Sequence, residues 1–415
     1  MLNKSLKPTH FAWVIFITQA AYSDISLLNL KDAYQSALKH NELIILSHLE
    51  SEEGRSRLDQ ITSDLFPKIA LSGTYLRQDS PDSTIDSDLT SSKITLSQPV
   101  FRGFAEYAAL RSAKAVLLSR LAKESHAKIT LYDQVAQAFF QVLADEQDIK
   151  NINDALDLSR KRGQEIQIRV RSGRSRQSEL VSNDSQIALL EAQLVSAQGK
   201  AYLSKGALGL ITGLTTPFKL ETHFQIFSLA PLEEYQNTLN QRGDIKALKY
   251  DVESAEEAVT VARGNHFPQL DLTGNLYLKR NGILANSRWD LGLTATFSLY
   301  SGGGIEAETR TRFIQVEKAQ TLLSKLTREL NSELLSTYQT VVTNLEAVKA
   351  LTRATDLAKK NFEALSKEFR FSQVTNLEVI AAQSQFYEAQ RALDRMHFQT
   401  HSNYQTLNTT VERIE

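Results

Sequence analysis

The chain is built twice, and nothing else in the sequence limits its fold as strongly. Tyr34-Gln35 and Leu38 match Tyr235-Gln236 and Leu239 in a register that also aligns Phe66-Pro67 with Phe267-Pro268. Further along, Phe101 aligns with Tyr300, Gly103 with Gly302, Phe139 with Tyr338, Gly173 with Ser372 and Glu179 with Glu378. The small slip in register falls in the polar segment 78–92, whose counterpart is 280–288. A period of about 200 residues is too long for a solenoid and marks a duplicated unit. The reading gives a first repeat over 24–213, a linker over 214–231 carrying Pro217 and Pro231, and a second repeat over 232–415.

Proline placement then sets the length of the helices. The seven prolines are Pro8, Pro67, Pro81, Pro99, Pro217, Pro231 and Pro268, and none falls within 104–172, 174–212, 305–371 or 375–409. The longer of these segments reach ~100 Å if helical throughout. Leu131, Val135, Ala138, Val142 and Ile149 recur at coiled-coil spacing, and Leu334, Tyr338, Val341, Leu345 and Val348 repeat the pattern. Ile187, Leu190, Leu194, Ala197, Ala201 and Leu208 keep a seam on one return segment, as Ala389, Leu393 and Met396 do on the other. Narrow seams of this kind leave the remaining helix faces wet.

Between the helices lie segments of period two. In the second repeat Trp289, Leu291, Leu293, Ala295, Phe297 and Leu299 alternate with Asp290, Gly292, Thr294, Thr296 and Ser298. Its partner alternates Leu270, Leu272, Gly274, Leu276 and Leu278 with Asp271, Thr273, Asn275 and Tyr277. Strands are expected at about 68–78, 92–101, 269–280 and 289–300. That length and patterning suit tilted membrane strands, which need about 9–11 residues, and equally four strands of a soluble sandwich. Phe101, Trp289 and Tyr300 stand at segment ends, where an aromatic girdle would lie. Gly103, Gly302 and Gly303 stand where a strand must turn into a helix, a bend that glycine's φ freedom serves.

Residues 1–23 read as an export signal: Lys4 and Lys7, the apolar run 11–17, and small residues before a cleavage after Ser23. With 47 Lys and Arg against 48 Asp and Glu, the chain lacks the basic surplus of a nucleic-acid binder, so no nucleic-acid partner is expected. The absence of cysteine removes disulfides, thiolate metal sites and a cysteine nucleophile. If the strands are membrane strands, four cannot close a barrel and an open edge in lipid is not tolerated, so the chain must oligomerise. A cyclic trimer gives a 12-stranded barrel and an α-helical tunnel of approximately sixfold symmetry.

In this order and spacing the residues resemble the TolC family of outer-membrane efflux and secretion channels. The resemblance rests on the duplicated halves, Phe-Pro before the first strand of each, and exits reading Pro99-Val-Phe-Arg-Gly103 and Leu299-Tyr-Ser-Gly-Gly303. It also rests on a Gly-to-Glu turn, Gly173 to Glu179, at the far end of the helices. It implies a mainly α chain with a β-barrel part, a homotrimer in outer-membrane lipid extending into the periplasm, and two further partners: a periplasmic adaptor and an inner-membrane transporter. The implied role is the passive exit duct of a tripartite efflux or type I secretion system, with no cofactor, no metal and no enzymatic step. Glu378 and Glu179 fall on the gate, where a ring of like carboxylates narrows the pore and would raise its own pKa values. Gly173 and Ser372, with Arg174, Arg176 and Arg370, fall on the tip latch and adaptor-docking turn. The family's second ring carboxylate falls on Ala381, and its latching tyrosine and arginine fall on Phe369 and Val374. One arginine among Arg169, Arg171, Arg174 and Arg176 is therefore a candidate substitute.

Other chemistry is sparse. His397 and His401 are one helical turn apart, but the residues between them lack the glutamate of a zinc-peptidase motif, which leaves a solvated helix surface. Two rival readings keep the helices without a pore: an extracytoplasmic coiled-coil scaffold with a soluble β-cap, and a periplasmic adaptor protein.

Overall fold

A computed structural model describes residues 27–79, 88–215, 217–221, 227–281 and 286–414. The expected export signal lies outside these residues. In chain order the elements are β1 (Leu27–Leu28), α1 (Leu30–His40), α2 (Glu42–Ser63), β2 (Lys68–Arg77), β3 (Asp88–Arg102), α3 (Ala105–Arg171) and α4 (Gln177–Thr212). The second half gives β4 (Lys219–Leu220), α5 (Leu232–Leu239), α6 (Gly243–Gly264), β5 (Gln269–Arg280), β6 (Trp289–Thr296), α7 (Gly304–Arg370) and α8 (Asn376–Thr410).

The proline-free segments are continuous helices, and α3 and α7 each run for 67 residues. Their ends follow local chemistry. Gly213 at φ +70° closes α4, and the turn between α3 and α4 uses Gly173 at φ +71°. The stretch before each Phe-Pro is two helices, α1 and α2 in the first repeat and α5 and α6 in the second. In the first repeat Asn41 is extended and its side chain accepts from the Leu43 N–H at 3.0 Å, capping α2 and so breaking it from α1. In the second, the break falls before Gly243, where α6 starts.

The duplication recurs in the packing. One core cluster includes Tyr34, Leu131, Val135, Val142 and Leu208; the other includes Tyr235, Leu330, Leu334, Val341 and Leu407. Each residue of the first set has its register partner in the second. Within the chain α3 packs on α4 and α8, α7 packs on α8, and α6 lies between α3 and α7. Arg111 grips Glu257 through two 2.7 Å contacts, and Ser112 meets the Ser254 carbonyl at 3.1 Å, so α6 of one repeat is stitched to α3 of the other.

The main sheet has the order β2-β3-β5-β6 with every neighbour antiparallel. A second, two-stranded pairing of β1 with β4 was not legible in the sequence, being two residues long on each side. Two expected strands have different limits. β3 begins at Asp88 rather than 92, because Asp88 to Ser91 still find partners in Arg77 to Thr74. β6 ends at Thr296 rather than 300. Thr296 pairs with Gln269, and the next residue on that side is Pro268, which has no N–H to continue the ladder.

Candidate functional site

The sheet is amphipathic and uncovered. Cross-strand rows place Ile69 with Leu96, Leu71 with Ile94, Leu272 with Leu293 and Leu276 with Trp289 on one face. The other face carries Thr95 beside Asn275 and Asn275 beside Asp290. There Thr95 Oγ1 donates to Asn275 Oδ1 at 2.9 Å, Asn275 Nδ2 to Asp290 Oδ1 at 2.8 Å, and the Tyr277 hydroxyl to Asp290 Oδ2 at 2.8 Å. A soluble sandwich would cover its apolar face with a second layer, but Leu71 is 72% exposed and Leu293 65%. Among the described residues no helix is long and apolar enough to cross a membrane.

The three girdle candidates separate here. A register shift between Pro99 and Phe101 aligns Phe101 with Leu270 on the apolar face, at the helix end of the sheet. Trp289 lies on the same face six rows away, about 20 Å at strand spacing, close to the height of a lipid-facing band. Tyr300 is not on a strand; it lies beyond the end of β6 and is exposed.

At the strand-to-helix corners, Gly103 has φ +65°, Gly302 +65° and Gly303 +79°. Phe104, which sequence reasoning passed over, takes φ +63° as the register partner of Gly303 and stacks edge-on against Phe101, with centroids 5.3 Å apart. Aligning the two glycine-containing corners residue by residue would have marked it.

At the opposite end of the helices, Gly173 and Ser372 hold equivalent left-handed positions, Ser372 at φ +60°. The carboxylates of the two repeats differ. Glu378 closes a capping box: its Oε2 accepts from the Thr375 N–H at 2.7 Å, and its own N–H reaches Thr375 Oγ1 at 3.4 Å. The Thr375 backbone bond, then its hydroxyl, holds this carboxyl below the usual glutamate range, opposite to the rise expected from a carboxylate ring. Thr375-Asn-Leu-Glu378 carries the capping-box spacing, so this role was readable in the sequence. In the first repeat Arg176 stands in the cap position without a side-chain bond, and Glu179 accepts instead from Ser175 Oγ at 2.6 Å. Asn376, 1% exposed, links the two turns through the Glu179 carbonyl at 3.3 Å.

Of the arginines, Arg174, Arg176 and Arg370 make no side-chain hydrogen bond or ion pair among the described residues. Arg169 does. Its Nη1 donates to the Phe369 carbonyl at 2.9 Å and its Nη2 to the Arg370 carbonyl at 3.1 Å, crossing from α3 to the end of α7. Phe369 and Val374, which fall on the family's latch positions, are packed in a small core with Ile166 and Val379.

Two clusters could suggest a metal. His401 is packed rather than solvated: its ring stacks on Phe140 at 5.8 Å and meets Phe227 edge-on at 5.3 Å, and this burial, then the His397 charge, lowers its pKa. His126 turns Nδ1 to Glu412 at 2.8 Å and Nε2 toward Asp244 at 3.7 Å, so the ring bridges two carboxylates. Arg242 already occupies both Asp244 oxygens, at 3.0 and 2.8 Å. His126, Asp244 and Glu412 are close enough to face one ion, but here their ligand atoms are engaged with one another and with Arg242.

An amphipathic antiparallel sheet with both faces bare, set at one end of a column of long helices, defines a channel-forming protein of an outer membrane. Comparison with known proteins agrees. The family model described as outer membrane efflux protein matches residues 33–214 and 235–411, and the chain belongs to that family. It is 21% identical over 401 residues to the proteases secretion protein PrtF of Dickeya chrysanthemi, covering 89% of this chain and 85% of that one. It is 20% identical over 384 residues to the outer membrane protein TolC of Vibrio cholerae, covering 89% and 87%. Among solved structures, the outer membrane protein VceC of Vibrio cholerae superposes with a TM-score of 0.82 at 16% identity, covering 92% of this chain and 95% of that one. The protein is a transport channel of the outer membrane with a helical part extending into the periplasm.

Proposed function

We propose that three copies of this chain close a barrel and a helical tunnel, forming the passive exit duct of a tripartite efflux or type I secretion system. The observation that carries the reading is the pair of open sheet edges. β2 and β6 run in opposite directions, so β6 of one copy set beside β2 of the next continues the antiparallel order without interruption. Four strands are below the roughly eight that a membrane barrel needs, and three copies supply twelve. The helices are unfinished in the same sense. α4 meets α3, α3 meets α8 and α8 meets α7, which leaves the far sides of α4 and α7 for neighbouring copies. Those sides carry exposed leucines, among them Leu203 and Leu210 on α4 and Leu322 and Leu357 on α7.

Export through such a duct is unpowered; a periplasmic adaptor and an inner-membrane transporter would supply docking and energy. The turns at Gly173 and Ser372 are the proposed docking and gating end, with Glu179 and Glu378 facing the constriction. PrtF is named for protease secretion, which favours export of polypeptides as one use of the duct. The test is reconstitution of the detergent-extracted protein in planar lipid bilayers. A trimer that conducts, with cation preference reduced in Glu378→Gln, is the expected outcome; a monomer without conductance contradicts the reading.

A further inference from the structure

Just short of the turns, where the hairpins meet through α3 and α8, two arginine–phenylalanine stacks cross from α3 to α7 in one heptad register. Arg162 lies over the Phe362 ring at 5.4 Å and Arg169 over the Phe369 ring at 4.5 Å. Both the arginines and the phenylalanines are seven residues apart, so a single stripe repeats the same contact. The two rungs differ in what else each guanidinium meets.

Arg169 is satisfied. It donates to the Phe369 and Arg370 carbonyls at the end of α7, the first of which also accepts from the Ser372 N–H at 3.0 Å, and its charge sits at the negative end of that helix. Arg162 is 7% exposed, and its Nη1 meets no acceptor among the described residues. Burial lowers its pKa to about 10, against the raising effect of the Glu165 charge, so at neutral pH it remains a cation, compensated by the Phe362 ring but with no hydrogen-bond acceptor at Nη1.

The hairpins α3/α4 and α7/α8 are each closed by their own turn. The tip can therefore widen within a chain only where one hairpin meets the other, and both stacks lie on that seam. We propose that the two arginines act on the gate in opposite senses: Arg169 holds the hairpins together by capping α7, whereas Arg162 is held in a state that water relieves once they part. The tip is then a bistable element, closed by one cation and biased toward opening by its neighbour one heptad away.

This rests on the reading of the chain as a channel gated at its tip. The test is single-channel conductance of the full-length trimer in planar bilayers, with trimer content and melting temperature measured alongside. Arg169→Met should raise conductance or open fraction several-fold, and Arg162→Met, which removes the buried charge and keeps apolar volume, should lower it several-fold. Phe362→Leu strips the stack and leaves the cation buried, so it should also raise conductance, which keeps the idea testable if Arg162→Met fails to assemble. Shifts of the same sign in the two arginine variants, or unchanged or lowered conductance in Phe362→Leu, overturn the proposal. A wild-type trimer that makes no channel overturns the underlying reading instead.

Discussion

Gly103 lies so close to Gly264 that a Cβ on Gly103 would sit 2.5 Å from the Gly264 carbonyl oxygen and 2.9 Å from the Phe267 Cβ. This contact seats the strand-to-helix corner of the first repeat on the end of α6 in the second. Gly302, the equivalent corner in the second repeat, has the same φ and nothing within 4 Å. Gly103→Ala therefore combines left-handed strain with overpacking and should cost about 2–4 kcal/mol, against about 1–2 kcal/mol for Gly302→Ala from strain alone. Chemical denaturation in detergent would compare them. Equal costs would remove the Gly264 contact from the account.

The turns at the other end of the helices make a second natural pair. Ser372 adopts φ +60° where its register partner Gly173 has φ +71°. A serine there carries left-handed strain that glycine does not, so Ser372→Gly should stabilise by about 1 kcal/mol and Gly173→Ser should destabilise by a similar amount. A Cβ at Gly173 meets nothing within 4 Å, so strain and not crowding sets the sign. Unfolding midpoints of the two variants, moving in opposite directions, are the expected result.

These pairs also indicate how much of the molecule the sequence makes legible. Long helices follow from the absence of proline and from heptad spacing, both local properties, and α3 and α7 run through their expected segments. Alternation made β5 readable but overran β6, because Phe297 to Tyr300 keep the pattern after Pro268 has removed their hydrogen-bond partner. The break at Asn41 is a side-chain capping event that periodicity does not reveal. Contacts between repeats were the least accessible. Arg169 meets a carbonyl 200 residues away, and His401 is half-buried against Phe140 and Phe227, neither on its own helix. A register match shows which residues are equivalent, not which ones touch.

Midway along the helices, Arg391 of α8 holds Asp148 of α3 in a two-pronged ion pair at 2.5 and 2.8 Å. Burial pushes the Asp148 carboxyl upward, but the Arg391 hydrogen bond and charge, with Arg395 and Lys200, outweigh it and the net pKa is lowered. The same bond raises Arg391, so the two partners agree. A depressed carboxylate contributes stability above its unfolded pKa of about 3.9 and loses it as pH falls through the folded value. Asp148→Asn should cost about 1–3 kcal/mol at neutral pH, since both side chains are mostly out of water. The gap between wild type and variant should narrow below about pH 4. A gap independent of pH would assign the loss to packing rather than charge.

The last prediction concerns the outer side of α4. Its Leu190, Ala197 and Leu208 are buried within the chain, whereas Leu189, Leu203 and Leu210 are 54%, 71% and 84% exposed. The exposed three fall at heptad intervals, a second seam without a helix against it in this chain. In a cyclic assembly that seam would meet α7 of the next copy and close the ring. Leu203→Glu with Leu210→Glu places two charges where a neighbouring helix must pack dry, and such charges lose hydration without gaining a partner. The double variant should keep its helix content by circular dichroism, because neither side chain supports the fold of its own chain. In detergent it should sediment as a monomer, and its bilayer conductance should vanish. A double variant that stays trimeric would place the subunit interface elsewhere, with these leucines facing solvent or the lumen.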